Sequence, residues 1–345
     1  MSENALHDPE RVSTAYVLLR FCPPVGLVGG VGLALAIVHA PVALLAWLLR
    51  RACAPPARGG GAAPAVELVE HAPLLPSRAH ARDTVLLVHG FPDSPSLWDG
   101  TVDALTRAGY RCLVAALPGA RGEAVDAACA PEAMAEALHA ALRARERGAV
   151  TLLAHDWGAV YGFLLARAHP TAVRRIAAVD VGGHIALAAI PPVAAVGIAL
   201  YQSLLALAFA LGGPGGRLIL RGMLLVWRYP RAEQRATVDM CHHYMGAIQA
   251  EARKLLAAGG RAAPSLDYTP AVPSFFAYAA HKPFFFHTRE WLRRVRATPG
   301  GLVVEFACGH WLMTEQPEQW ADVLVRWLRR TDALLAPEPV GAHGD

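Results

Sequence analysis

The sequence predicts an α/β fold: a mostly parallel sheet with helices on both faces and a helical cap inserted between its two halves. Three observations carry this. Short apolar strand-like runs alternate with helix-like ones, as parallel strands buried on both faces do. The alternation breaks between about His184 and Pro270, where helical segments follow one another without a strand. Finally, LAHDWGAVYG (153–162) puts an aspartate at a corner where a strand gives way to a helix.

In chain order, DTVLLVHG (83–90) reads as a strand ended by a turn, and Ser96–Ala108 has helical spacing. RCLVAA (111–116) is a second strand, and Pro131–Arg147 is an alanine-rich helix. VTLLA then leads into a helix over Ala159–Ala168, followed by the strand RRIAAVD (174–180). After the break come the strand PSFFAYAA (273–280), a helix over Phe286–Arg296, the strand GLVVEFA (301–307) and a closing helix over Gln316–Arg330. Within the break, Ile185–Gly216 carries no charge and is apolar enough to suggest a membrane crossing. A crossing there would separate Asp156 from later strands of the same sheet, so the segment is read as apolar helices of a cap. The core then spans 65–183 and 271–332, the cap 184–270, and a C-terminal tail 333–345.

The N-terminal region differs. Following a tail at 1–20, no charged residue occurs from Phe21 to Leu49, and about 20 apolar residues suffice to span a bilayer. A single-pass anchor is expected over 21–51, with a Pro/Gly/Ala linker at 52–64. The rival is a cleaved signal peptide ending near ACA (52–54), although such peptides have apolar stretches of only about 7–15 residues. Arg50, Arg51 and Arg58 follow the segment while Arg11 and Arg20 precede it, which tips the bulk of the chain toward the cytoplasmic side. The endoplasmic reticulum is one candidate membrane.

The net charge of +4 comes from scattered arginines without a basic stripe, so no nucleic-acid partner is expected. Six cysteines show no C-x-x-C spacing, and neither a Gly-x-Gly-x-x-Gly cradle nor an internal repeat occurs. Neither cofactor nor metal is expected. The oligomeric state is left open.

An aspartate at a strand-to-helix corner has two readings. As a helix cap it is worth about 1 kcal/mol. As a nucleophile it occupies the elbow Gly-x-Ser-x-Gly, here Ala154-His155-Asp156-Trp157-Gly158, with alanine for the first glycine and aspartate for serine. Three stretches together, VHGFPDSPSLWD (88–99), AHDWGAVYG (154–162) and CGHWLMTEQPEQW (308–320), resemble the α/β-hydrolase fold in its epoxide hydrolase and haloalkane dehalogenase branch. They stand in that family's order, with a cap-sized insertion between the second and third, and the resemblance covers roughly 65–330.

A carboxylate nucleophile suits an electrophilic sp3 carbon, because its attack yields an alkyl ester that water can cleave. On an ordinary ester it would give an over-reactive anhydride, so Asp156 argues against lipase or esterase chemistry. The resemblance makes His310 the base that activates water. It also makes the turn at His89, Gly90 and Pro92 the device that aims the N–H groups of Phe91 and Trp157 at a developing oxyanion. The Trp157 indole could hold a halide, but Phe91 stands where dehalogenases commonly carry a donor, which tilts the choice toward epoxides.

Epoxide hydrolases are similar in having cap tyrosines that protonate the opened ring. Of Tyr201, Tyr229, Tyr244 and Tyr268, Tyr244 is placed best and Tyr201 second. The chain departs from that pattern at the triad acid: no carboxylate lies between Asp267 and Glu290, and Lys282 stands near the expected position. The acid is therefore assigned to Asp180, as in those dehalogenases whose acid follows this strand, with Lys282 expected to point elsewhere. Three functions are carried forward: an epoxide hydrolase for lipophilic substrates, a dehalogenase, and a catalytically silent binding protein favoured by Lys282 and Ala154.

Overall fold

The computed structural model describes residues 64–74, 82–185, 190–227, 229–230, 236–257, 266–282 and 284–335. The expected N-terminal anchor (21–51) and the linker up to residue 63 lie outside the described residues.

Seven strands form one sheet: β1 (Glu67–His71), β2 (Arg82–Val88), β3 (Tyr110–Ala116), β4 (Val150–His155), β5 (Val173–Val179), β8 (Ser274–Ala279) and β9 (Leu302–Phe306), in the order β1-β3-β2-β4-β5-β8-β9. All neighbours are parallel except β1, which pairs antiparallel with β3 at the edge. This edge strand escapes the sequence reading because ELVEH is too polar and short to stand out, with only Leu68 buried.

Alternate residues of the central strands feed two cores. Leu86, Val88, Leu152, Ala154 and Ile176 face one side, with α2 (Pro131–Arg143) and α3 (Trp157–Ala168). Val85, Leu87, Leu153, Ala177 and Val179 face the other, with α1 (Asp99–Arg107) and α9 (Pro317–Leu335). The period of two that sends neighbours to opposite faces explains why these strands read as continuous apolar runs. Between β8 and β9 lies α7 (Arg289–Ala297). It starts later than the expected Phe286, because Thr288 is the N-cap and accepts from the Trp291 N–H.

The cap consists of α4 (Pro192–Leu211), α5 (Gly213–Trp227) and α6 (His242–Ala257). A two-stranded ribbon, β6 (His184–Ile185) against β7 (Leu266–Asp267), closes its base, a pairing too short to leave a sequence signal. Ala194–Leu211 is long and apolar enough to cross a membrane by length and composition, with mean hydropathy 2.0. Here it packs on its cap neighbours instead, and Leu205, Ala206 and Ala208 are fully buried.

At the amino end of the strands, the buried Arg175 joins β5 to α9. It pairs with Asp83 and Asp332, each at 2.9 Å, and donates to the Thr151 and Thr331 hydroxyls at 2.8 Å. Such a cation is tolerated in a core only because each donor finds a partner. The opposite, carboxyl ends of β4, β5 and β9 are left open to the cap.

Candidate active site

The β4–α3 corner sets the first residue. Asp156 has φ 53° and ψ −123°, a backbone conformation costly for a side chain with a Cβ, and helix α3 starts immediately after it. The helix-cap reading fails: the carboxylate makes no capping hydrogen bond. Its Oδ1 accepts instead from the Phe91 N–H at 2.8 Å.

The close approach needs glycine at two positions. A Cβ on Gly158 would lie 2.3 Å from the Val88 carbonyl oxygen, and one on Gly90 would lie 2.4 Å from Asp156 Oδ1. Ala154, in place of the first elbow glycine, is accommodated because Gly162 faces it: a Cβ there would stand 3.5 Å from the Ala154 methyl and 2.7 Å from Leu152 Cδ2. The vacancy has moved from the strand to the helix.

The turn before the elbow is held by His89, which is buried and bonded at both ring nitrogens. Nε2 accepts from the Leu117 N–H at 3.3 Å, which leaves Nδ1 to donate to the Gly90 carbonyl at 2.9 Å. Burial lowers its pKa to about 4, so it stays neutral. The Phe91–Pro92 peptide bond is cis.

His310 follows β9 and faces both carboxylates. Its Nε2 lies 3.6 Å from Asp156 Oδ2, beyond hydrogen-bond range, and its Nδ1 donates to Asp180 Oδ2. That contact fixes the tautomer and turns Nε2 toward Asp156. Burial would lower the imidazole, but the Asp180 and Asp156 charges outweigh it and raise its pKa to about 9. For Asp156, burial works upward, yet His310, His155 and the Phe91 N–H hold it below its ordinary value.

Asp180 ends β5 with φ 69° and is fully buried. Its Oδ1 accepts from the Ala279 N–H at 2.8 Å. The expectation that Lys282 points elsewhere is wrong: its ammonium lies 2.6 Å from the same oxygen. A carboxylate with no solvent contact needs its charge balanced as well as its oxygens hydrogen-bonded, and the Lys282 ammonium supplies the opposite charge. Burial pushes Asp180 upward, but Lys282 and His310 outweigh this and hold it well below the carboxylate range.

The cap brings Tyr244 and Tyr201 over this corner and leaves Tyr229 and Tyr268 elsewhere. The Tyr244 ring makes edge contacts with Phe91 and Trp157, centroids 5.1 and 5.3 Å apart, and Tyr201 lies 6.1 Å from Tyr244. Burial and then the Asp156 charge raise the Tyr244 phenol well above its ordinary value, while a hydrogen bond with the Trp157 side chain opposes the rise. Burial likewise raises Tyr201. Both hydroxyls keep their protons at neutral pH. Tyr268 packs on Phe163.

Behind Asp156, His310 and Asp180 lies a buried network. Asp93 accepts from the Tyr229 hydroxyl at 2.9 Å and the Trp311 indole at 3.0 Å, and its carboxyl is raised to about 6 by burial. His155 Nε2 lies 3.1 Å from the His310 carbonyl oxygen, so the ring donates there and bears on the backbone that carries His310. No spacing rule predicts this. The only hint was that Asp93 and Trp311 sit inside two of the motifs already singled out.

A family model described as the alpha/beta hydrolase family matches residues 85–323. This chain belongs to that family. An epoxide hydrolase from Caballeronia sordidicola is 32% identical over 96 residues, a stretch covering 26% of this chain and only 28% of that one. Among solved structures, a thermophilic esterase from Thermogutta terrifontis is similar at TM-score 0.55 and 20% identity, over 77% of this chain and 93% of that one. An epoxide hydrolase from Vigna radiata is similar at TM-score 0.54 and 19% identity, over 78% and 95%. One fold thus hosts esterase and epoxide hydrolase alike, and the choice of chemistry falls to the residues.

Proposed function

We propose that this chain is an epoxide hydrolase for lipophilic epoxides, working through an alkyl ester of Asp156. The observation that carries the reading is the Asp156 carboxylate at the elbow, with the Phe91 N–H on one oxygen and His310 3.6 Å from the other. The similarity to an epoxide hydrolase over 96 residues supports it.

The chemistry follows from the charges. Ionised Asp156 attacks a ring carbon, the ring C–O bond breaks, and Tyr244, with Tyr201 beside it, gives its proton to the departing oxygen. Esterification removes the Asp156 charge. The His310 imidazolium then releases a proton, which restores the tyrosine. Neutral His310 takes a proton from water as the water oxygen adds to the ester carbonyl, and the Phe91 N–H stabilises the resulting oxyanion. Collapse breaks the ester C–O bond, and the remaining water proton passes to the alkyl oxygen. A diol leaves, and Asp156 is again a carboxylate.

Two features favour this over the alternatives. A halide site would need a second donor beside the Trp157 indole, and the Phe91 side chain offers none. A silent protein would have no reason to keep an Asp–His–Asp set in contact, and the two supposed defects, Ala154 and Lys282, are compensated by Gly162 and by the ion pair with Asp180.

The lipophilic preference rests on the aromatic surround: Phe91, Trp157, Trp227, Tyr201, Tyr244 and Phe284 pack about the corner. We also propose a membrane partner. The uncharged 21–49 segment motivates it, and so does one face of α5, where Leu218 and Leu225 are 74% and 78% exposed beside Arg217 and Arg221. Anionic headgroups suit such arginines.

The test is a turnover panel of apolar epoxides and haloalkanes with wild type, Asp156→Asn and His310→Gln. Diol formation by wild type is expected, with losses of about 100-fold or more in both variants and ester accumulation in His310→Gln alone. Halide release without diol formation from epoxides would overturn the reading in favour of dehalogenation.

A further inference from the structure

Asp180 serves two charged partners at once. Its Oδ2 accepts from His310, while its Oδ1 pairs with the Lys282 ammonium at 2.6 Å, and the same ammonium donates to the Asp180 carbonyl at 3.3 Å. The lysine side chain is 5% exposed, so this contact is shielded from water and salt. Lys282 also lies over the Phe285 ring, 5.4 Å from its centroid.

Among the described residues, every other charged or titratable group around His310 is negative or neutral. Asp156 faces it from the β4–α3 corner and Asp180 from the end of β5. His155 on β4, its ring 4.5 Å away, is kept neutral by burial, and Asp93 from the loop after β2 bonds Tyr229 and Trp311. Glu315, on the short helix α8 (Leu312–Glu315), accepts from the Gly309 N–H. Burial pushes the Cys308 thiol up to about 12, and His287, beside Lys282, is held neutral by burial. Among the described residues, Lys282 is the cation of this cluster.

We propose that Lys282 is a positioning residue that balances the Asp180 charge, so that His310 becomes a neutral base once Asp156 is esterified. Before the reaction, Asp156 and Asp180 together oppose Lys282 and an imidazolium, and the four groups are neutral as a set. After esterification the Asp156 charge is gone. Lys282 and Asp180 then cancel each other around a neutral ring. Without the lysine, Asp180 alone would hold the proton on His310, and an imidazolium cannot accept one from water. This inference rests on the Asp156 ester of the proposed function.

The experiment compares wild type with Lys282→Gln, Lys282→Met and Lys282→Arg in the full chain. Glutamine keeps a donor for Asp180 if methionine leaves that carboxylate too poorly satisfied to fold. The His310 ring is titrated by NMR of its carbon between the nitrogens, which needs no substrate. Both neutral variants should titrate about one pH unit higher than wild type, and arginine close to wild type. In single turnovers with an epoxide, the pH profile of ester decay should shift upward by the same interval, slowing decay about two- to fivefold at neutral pH with its alkaline plateau kept, while ester formation changes little. A titration that stays put or moves down in the neutral variants overturns the proposal. A displaced titration in a chain that never turns over an epoxide would uphold the charge role and sink the epoxide reading instead.

Discussion

His310 carries its charge between Asp156 and Asp180, and this has a measurable consequence for stability. Its pKa rises from 6.5 to about 9 on folding, because the two carboxylates outweigh the cost of burial. The folded state therefore holds this proton more tightly than the unfolded chain. The stabilisation is fully present below about pH 6.5 and is lost as pH rises through 9. Urea midpoints should fall from pH 6.5 to pH 9.5, and His310→Gln should flatten that decline. A wild-type midpoint that rises across this window would contradict the charge assignment. Asp156, His310 and Asp180 were legible in the sequence because each ends or follows a strand of the same sheet. The Lys282 contact was not, since it depends on the second oxygen of a buried carboxylate, which no spacing encodes.

The corner of β4 and α3 works as one element. Asp156 can hold its positive φ because Gly158 lets the helix start against the β2 backbone, and Gly162 takes up the bulk of Ala154. An alanine at Gly158 would meet two carbonyl oxygens, of Val88 and His89, within 2.4 Å, and neither can swing aside as a side chain would. Gly158→Ala should therefore cost near the top of the ~1–3 kcal/mol typical of overpacking and weaken the Phe91–Asp156 hydrogen bond. Denaturant melts of the variant check this, and wild-type stability would show that the elbow is looser than described. Strands β2 to β5 were legible from their apolar runs, because burial on both faces leaves no room for polar alternation. The edge strand β1 and the β6–β7 ribbon were not, since short polar pairings gain their stability from neighbours and not from their own pattern.

At the scale of the molecule, a hydrolase core carries an apolar cap whose outer helix turns leucines to the surroundings. The break in the alternation at His184–Pro270 announced the cap, but not which face of it is exposed, because α4 is apolar all round and α5 sets leucines beside Arg217 and Arg221 on one face. If α5 rests on a bilayer, replacing Leu218 and Leu225 together by aspartate should slow turnover of a vesicle-dissolved epoxide about tenfold, a loss of ~1.4 kcal/mol. Turnover of a water-soluble epoxide should be unchanged. Equal effects on both substrates would remove the membrane role from this face. The buried Arg175 shows the complementary limit: a cation in the strand RRIAAVD gave no sign in sequence of the Asp83 and Asp332 that neutralise it.

The measurement that tests the central claim most directly is the fate of water oxygen during turnover in heavy-oxygen water. The protein is recovered after many turnovers of an apolar epoxide and digested, and the peptide containing Asp156 is weighed. If Asp156 forms the ester and water attacks its carbonyl carbon, the label accumulates in Asp156. The diol from a single turnover then carries the oxygen that Asp156 held beforehand. Label that passes straight into the diol in the first turnover, with Asp156 unlabelled after many, would mean that water attacks the epoxide itself and that Asp156 is not the nucleophile.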